Sequence, residues 1–217
     1  MDEETLVRTR LALHAVAELV LAGPQYRASG TIRLRVCPGG FETEAEPRLR
    51  VDGPELVVGG RRYRIAETTV AVLSRAAGIT PSDLSDVYDD GPGIAVGDDI
   101  DAEPGAAWWI IECLAAGDEA LCRLAPGQTP VLWPEHFDVA VTVDGVGYGV
   151  SPGDRHHAEP YAYVGLPAAR RTDPPTDPDG FWNAPFGALR PMRELDDADG
   201  VHAFFVEGRR RAALTIR

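Results

Sequence analysis

Hydrophobic residues recur at helical spacing in two long stretches of the chain. The first covers residues 3–22, where Gly23-Pro24 is expected to end the helix. The second covers residues 105–124, where Gly117 is expected to break the helix into two pieces. Two shorter helices are predicted: residues 69–77, capped by Thr68 or Thr69 and ended by Gly78, and a segment from Thr80 to about residue 88.

Short stretches of alternating apolar and polar residues predict strands. Residues 31–36 alternate most regularly, and Gly59-Gly60 is a two-residue hairpin turn. Further strands are predicted at 48–52, 55–58, 62–66, 161–166 and 201–206, while 208–216 fits a short helix or a strand equally well. No internal repeat is evident. Helices beside a mostly antiparallel sheet make this an α+β protein.

The segment 137–150 predicts a β-hairpin with two unlike faces. Asp144-Gly145 tolerates the positive φ angles of a two-residue turn, and a turn there sets every cross-strand pair. One face then holds only apolar pairs: Val143–Val146, Val141–Tyr148, Val139–Val150 and Phe137–Pro152. The other holds small or polar pairs: Thr142–Gly147, Ala140–Gly149 and Asp138–Ser151. A shift of one residue would mix the two faces, so this register is favoured.

The small-residue face of this hairpin is the candidate ligand site. Glycine in a strand often marks a place where a ligand or another backbone approaches closely. Aromatic side chains with a few polar groups are typical of small-molecule pockets. The predicted ligand-binding residues are Trp133, His136, Asp138, Ser151, Tyr161, Tyr163, Trp182 and Asn183. The proline- and aspartate-rich loop 168–180 feeds an aromatic segment and could act as a lid.

Residues at the same end of the hairpin also suggest two alternative sites, a metal site and a serine nucleophile. Imidazole and carboxylate ligands from separate segments suit a divalent ion such as zinc. The candidate metal ligands are His136, Asp138, His156, His157 and Glu159, although no HExxH motif is present. Ser151, His136 and Asp138 also have the residue types of a nucleophile, a base and an orienting acid, but no Gly-x-Ser-x-Gly elbow exists. A hydrogen-bonded cluster that holds the loop is the simpler interpretation.

The net charge and the residue types of the chain exclude several classes of partner and of reaction. The net charge of −13 argues against nucleic-acid binding, because a phosphate backbone requires a basic surface. The chain contains no lysine, which excludes Schiff-base lysines and Walker-type phosphate loops. The acidic residues of 89–103 do not fit the EF-hand spacing and favour a solvated loop. No long apolar run or signal sequence is present, and the three cysteines show no CxxC, so we expect a cytoplasmic protein without membrane contact.

Four segments resemble an uncharacterised domain family that is common in actinobacteria. They are Leu-Trp-Pro-Glu-His-Phe-Asp at 132–138, Ser-Pro-Gly-Asp at 151–154, Glu-Pro-Tyr-Ala-Tyr-Val-Gly at 159–165 and Phe-Trp-Asn-Ala-Pro-Phe-Gly-Ala at 181–188. The front part, around Gly30 to Phe41, is similar to the sterol-carrier-like C-terminal domains of mycothiol-dependent maleylpyruvate isomerase-like proteins. Neither resemblance supplies an activity or a catalytic residue.

These observations lead to a first functional expectation and two alternatives. We expect residues 1–125 to form a helix-plus-sheet lobe and 126–217 a hairpin and aromatic lobe, with one shared core. The expected function is binding of a small molecule over the small-residue face of the hairpin. The alternatives are a metal-dependent hydrolase or isomerase that uses His136 and the loop 154–159, and an interaction protein without a site.

Overall fold

The computed structural model describes residues 1–168 and 179–214 and confirms the α+β class. A single antiparallel sheet of ten strands, in the order β12-β11-β10-β9-β8-β1-β2-β3-β4-β5, spans the molecule. Its strands are β1 (Leu34–Cys37), β2 (Gly40–Thr43), β3 (Arg50–Asp52), β4 (Glu55–Val58), β5 (Arg61–Arg64), β8 (Val131–Trp133), β9 (Asp138–Val143), β10 (Val146–Ser151), β11 (Tyr161–Gly165) and β12 (Gly187–Pro191); β6 (Thr68–Thr69) and β7 (Asp99–Ile100) pair separately.

The helices are α1 (Glu3–Ala15), α2 (Gly23–Ser29), α3 (Val70–Ala77), α4 (Pro104–Leu124) and α5 (Ala198–Leu214). A π-helical segment, Val16–Ala22, joins α1 to α2 without a break. Thr69 caps α3 by accepting from the backbone N–H of Val72, and Gly78 ends it, as predicted. In the part of the chain that the structure describes, no helix has the length and apolar character needed to cross a membrane.

The sheet consists of two halves with the same order of elements. In each half a long helix precedes a meander of five strands, and a further helix follows it: α1 and α2 with β1–β5 and α3, then α4 with β8–β12 and α5. The halves meet where β1 pairs with β8 at Leu34 and Leu132. No internal repeat was predicted from the sequence, so this repeat of elements became visible only in the structure.

Helices α4 and α5 and the π-helical segment pack against one face of the sheet and form a core that both halves share. Val139, Tyr148 and Val150 of the hairpin are buried there, and Leu34 and Phe41 continue the same core into the first half. α4 packs against β9, β10 and α5 of the second half and also against α1, β1 and β2 of the first half. We call the opposite side of the sheet the outer face.

Two glycines that were expected to end or break helices instead allow close packing. A Cβ at Gly117 would lie 2.6 Å from Val150 Cγ2, so the glycine lets α4 approach the sheet, and the helix runs through unbroken. A Cβ at Gly23 would collide with the carbonyl of Ser82, whose N–H donates to the Leu19 carbonyl. The helix therefore continues past Gly23-Pro24 to Ser29, and the predicted stop was wrong.

The hairpin register is confirmed where the ladder extends. The five pairs from Val146–Val143 to Val150–Val139 are those predicted, and their faces sort as expected. The two outermost predicted pairs, Asp138–Ser151 and Phe137–Pro152, are not part of that ladder. Phe137 has a positive φ of 53° and is buried, so the chain turns sharply just before β9.

Other predictions of secondary structure were wrong or incomplete. Residues 201–206 were predicted as a strand but belong to α5, because Val201, Phe204, Phe205 and Ala212 are buried on one side of a helix. The segment from Thr80 to about residue 88 is irregular, with a turn at 85–87, rather than a helix. The strands β2, β8 and β12 were not predicted.

Candidate functional site

A groove of about 720 Å³ lies over the outer face of β9, β10 and β11. We call it the outer groove. Its floor includes Asp138, Gly147 and Tyr163, and Phe186 and Leu166 line one side. The remaining walls come from α1, from residues 90–92, from the turn at 135–136 and from the loop 153–156.

The glycines of the floor play two different roles. A Cβ at Gly147 would meet nothing closer than the Gly165 carbonyl oxygen at 3.8 Å, so this part of the floor is open. A Cβ at Gly149 would lie 2.5 Å from Tyr163 Oη and 2.7 Å from the Val139 carbonyl oxygen. The space above Gly149 is therefore filled by the tyrosine of the neighbouring strand, and the open floor lies towards Gly147.

Asp138 and Tyr163 form a buried acidic pair beneath the groove. Tyr163 Oη donates a hydrogen bond to Asp138 Oδ2, while Asp138 Oδ1 is buried and has no hydrogen-bond partner among the described residues. Burial raises the pKa of Asp138 even though the bond from Tyr163 favours its charged form. Burial and the nearby Asp138 carboxylate raise the pKa of Tyr163. The pair therefore holds its protons to higher pH than exposed groups would.

The loop after β10 is held together by Asp154. Its Oδ1 accepts from the backbone N–H groups of His156 and His157, and its Oδ2 accepts from Tyr161 Oη at 2.6 Å. Burial alone would raise the pKa of Asp154, but these hydrogen bonds outweigh it and the pKa is lowered. Ser151 Oγ accepts from the Gly153 N–H. This cluster holds the loop, as the simpler interpretation of the sequence expected.

The helix that forms this wall carries a polar stripe that the sequence analysis missed; Arg10 and His14 of the stripe line the groove, and Glu18 does not. Arg10, His14 and Glu18 are spaced by four residues and therefore share a side of the helix. His14 Nε2 donates to the Pro134 carbonyl at 2.6 Å, and burial lowers its pKa to about 4, so the ring is neutral near pH 7. Glu18 lies in the π-helical segment, a feature frequent at functional sites, and accepts from Tyr88 Oη at 2.9 Å.

The five candidate metal ligands do not converge in the described structure. His136 instead lies with Asp90 and Glu135 at the rim of the groove, where one ligand atom from each falls within 4.8 Å of the others. Glu159 forms an ion pair with Arg193 at 2.8 Å, and His157 packs edge-on against Tyr161. His156 lines the groove with its ring edge-on to Phe186.

The predicted ligand-binding residues divide into two groups. Five of them line the outer groove: His136, Asp138, Ser151, Tyr161 and Tyr163. Three do not: Trp133, Trp182, and Asn183, whose side chain bonds the backbone of Leu189. Most of the predicted lid, residues 169–178 of the loop 168–180, lies outside the described residues.

The arrangement also bears on the predicted serine nucleophile. No hydrogen bond joins Ser151 to His136 within the described chain, and Ser151 Oγ is engaged with Gly153. Three acids of 89–103 have structural contacts: Glu103 caps α4 by accepting from Gly105 and Ala106, Asp101 pairs with Arg8, and Asp98 accepts from the backbone N–H of Ala95. The groove therefore offers hydrogen-bonding and aromatic surfaces rather than an assembled catalytic triad.

Comparison of the chain with protein-family models, with curated proteins and with solved structures gave no match.

Proposed function

We propose that this protein binds a small, partly apolar molecule in the outer groove. The observation that carries the proposal is the buried Oδ1 of Asp138, which has no hydrogen-bond partner among the described residues. A buried polar atom without a partner costs about 1–3 kcal/mol. The atom has almost no exposed surface, so a ligand group would reach it from the groove only after a small movement of the floor, and that contact would remove the cost.

The dimensions and lining of the groove support the same proposal. Small-molecule pockets usually measure about 300–1,000 Å³ and combine aromatic walls with a few polar groups. The outer groove has about 720 Å³. Tyr161 and Phe186 lie nearly parallel, with their ring centroids 6.4 Å apart, and Tyr163 meets Phe186 edge-on at 6.2 Å. This aromatic side favours a flat apolar group.

The Asp138–Tyr163 pair indicates which polar group the ligand would present. Because Tyr163 donates to Oδ2, the proton of a neutral Asp138 belongs on Oδ1, which then acts as a donor. A carbonyl, ether or hydroxyl oxygen would accept from it. An ionised Asp138 would require a donor instead, so ligand affinity should depend on the protonation of this carboxyl group.

The proposal is tested by filling the open floor. In Gly147→Trp the indole would extend over Gly165 on the outer face, and the backbone would not be strained. Gly127→Trp is the matched control, because a Cβ at Gly127 meets nothing within 4 Å and the residue lies outside the groove. The probe is N-phenyl-1-naphthylamine, a neutral aromatic amine whose fluorescence rises in apolar sites.

We expect saturable binding of one probe per chain to the wild type and to Gly127→Trp. Gly147→Trp should bind the probe at least about tenfold more weakly, a loss of about 1.4 kcal/mol. Circular dichroism of both variants checks that they fold. Absence of binding to the folded wild type, or equal binding by both variants, would refute the proposal.

One observation favours the metal-dependent alternative: Asp90, Glu135 and His136 offer three ligand atoms close together at the rim. Catalytic zinc sites commonly use three protein ligands and keep a position open for water. The metal content of untagged protein decides between the two. Near-stoichiometric metal that is lost in His136→Ala and kept in His202→Ala favours the enzyme, and metal-free wild type removes it.

A further inference from the structure

Arg10 is a partly buried cation on the α1 wall of the outer groove. Its Nη1 donates to the Ala158 carbonyl at 3.0 Å, and burial is the main cause that lowers its pKa. Gly153, with a φ of 108°, lets the loop come close, since a Cβ there would lie 2.6 Å from Arg10 Nη1. The guanidinium is thus held in place by the loop and by its own helix.

No carboxylate of the described chain comes within 4.0 Å of this guanidinium to form an ion pair with it. Asp154 raises the pKa of Arg10 from beyond contact distance, and both of its oxygens are engaged by His156, His157 and Tyr161. Arg211, by comparison, is also largely buried and pairs with Glu207 at 2.5 Å. Arg10 therefore carries a charge that the protein itself does not neutralise at contact distance.

A guanidinium has five N–H donors in a planar fork, and one hydrogen bond from Arg10 is accounted for. A desolvated cation is costly unless it is paired. A group with two anionic oxygens meets such a fork through parallel hydrogen bonds, which are among the strongest in proteins. The geometry of Arg10 thus matches an anionic oxygen group that enters the outer groove.

We infer that the ligand of the outer groove is an aromatic anion, whose carboxylate, sulfonate or phosphate oxygens pair with Arg10. The inference rests on the proposed function and specifies its ligand class. The ring of the ligand would lie against Tyr161 and Phe186, which line the same groove. Arg155 is exposed on the loop side of the groove and adds a second positive charge there.

Four acidic residues also line the groove, and they differ in how they bear on an anion at Arg10. Asp90 and Glu135 gather around His136 at the rim. Asp154 keeps its negative charge, but its oxygens are engaged by the loop and it does not contact Arg10, while burial raises the pKa of Asp138. Arg10 is therefore the place in the groove where an anion would gain a direct ion pair, against the longer-range repulsion of Asp154.

Two fluorescent probes that differ by one group test the inference. 1-Anilinonaphthalene-8-sulfonate has the rings of N-phenyl-1-naphthylamine and adds a sulfonate. Arg10→Gln removes the charge from the groove. Arg61→Gln removes one from the exposed edge strand β5 and is the control. Dissociation constants of both probes are measured for the wild type and both variants.

We expect Arg10→Gln to weaken the sulfonate probe by about ten- to a hundredfold and the neutral probe by less than about twofold. Arg61→Gln should bind both probes like the wild type. Equal weakening of both probes, or no weakening, overturns the anion inference but leaves the binding proposal intact. Failure of the wild type to bind either probe refutes the proposed function itself.

A competition experiment on the wild type tests the inference without any variant. Benzoate should displace the neutral probe, and benzamide, which has the same ring and no charge, should displace it at least about tenfold less effectively. Equal displacement overturns the inference. Phenyl phosphate in the same assay separates a phosphate preference from a carboxylate preference.

Discussion

The two halves of the sheet share an order of elements, yet their outer faces differ in chemistry. In the first half that face carries paired charges, such as Arg35 with Glu42 and Arg62 with Asp52. In the second half it carries glycines and tyrosines and forms the outer groove. The same framework therefore gives a flat solvated surface on one side and a candidate binding site on the other.

The contrast between the two outer faces is clearest at one pair of corresponding residues, Glu42 and Asp138. In each half Pro-x-x-Phe followed by an acid leads from the first strand of the meander into the second: Pro38 to Glu42, and Pro134 to Asp138. The two phenylalanines, Phe41 and Phe137, are buried edge-on to each other with their ring centroids 5.4 Å apart. The two acids face outward from equivalent strands, but their neighbours are not equivalent.

The neighbouring strands decide what each acid becomes. Glu42 faces Arg35 on β1 and is bonded by its guanidinium at 2.8 Å. Asp138 is covered by Tyr163 from β11, which can reach it because Gly149 between them has no side chain. A local motif therefore supplies the carboxyl group, and the next strands determine whether it forms a surface ion pair or a buried acid.

The largest expected effect is on the free energy of unfolding, and it comes from a substitution beneath Tyr163 in the second half. Gly149→Val would place a Cβ 2.5 Å from Tyr163 Oη, so we expect a loss of about 2–3 kcal/mol in the free energy of unfolding. Gly147→Val is the control: its Cβ meets open space, and valine favours strands, so the change should be neutral or slightly stabilising. Urea denaturation measures both. Equal effects would contradict the description of the floor.

An effect of intermediate size is expected on the pH dependence of stability, through the buried Asp138 of the second half. In the unfolded chain an aspartate titrates near pH 3.9. The raised pKa of folded Asp138 means that, above this pH, the unfolded chain releases a proton that the folded chain retains. The wild type should then lose up to about 1.4 kcal/mol per pH unit, relative to Asp138→Asn, until the folded pKa is reached.

Urea denaturation of wild type and Asp138→Asn between pH 4 and 8 measures this difference. Glu103→Gln provides a control of opposite sign. Hydrogen bonds from Gly105 and Ala106 lower the pKa of Glu103, so there the wild type should lose its advantage as the pH falls. An Asp138→Asn difference that does not grow with rising pH would show that the carboxyl group is not buried as described.

The smallest expected effect concerns the charged face of the first half. Arg62 bonds Asp52 at 2.9 Å, but nearly half of its side chain is exposed. A double-mutant cycle with Arg62→Gln and Asp52→Asn should give a coupling of about 0.5 kcal/mol, because solvent screens exposed pairs. The coupling should fall in 1 M NaCl. A coupling above about 2 kcal/mol that persists in salt would contradict the description of the first half's outer face as a solvated surface.

Features that depend on near neighbours could be read from the sequence. The turn at Asp144-Gly145 fixed the hairpin pairs, because a side-chain period of two allows only one register that keeps the faces apart. Thr69 and Gly78 marked the ends of α3 through local capping. Five of the eight predicted ligand-binding residues line the groove, since strand alternation placed Asp138 and the tyrosines on the face opposite the core.

Features that depend on distant contacts could not be read in this way. Gly23 and Gly117 have the residue type of a helix breaker, and only the packed surfaces of Ser82 and Val150 show why glycine is required within a helix. Arg10 and His14 reach the groove because α1 lies beside the turn at 135–136 and the loop 153–156. The spacing of Arg10, His14 and Glu18 marked a polar stripe, but nothing in the sequence says what it faces.

The sequence by itself determined the α+β class, the hairpin with its two unlike faces, and the supply of polar groups near the end of that hairpin. The tertiary structure decided which of those groups are buried, which are engaged and which line the groove. The physical reason is that periodicity and turn chemistry act over a few residues. Burial, pKa shifts and ion pairing depend on strands and helices that are distant in sequence, as β11 is from Asp138.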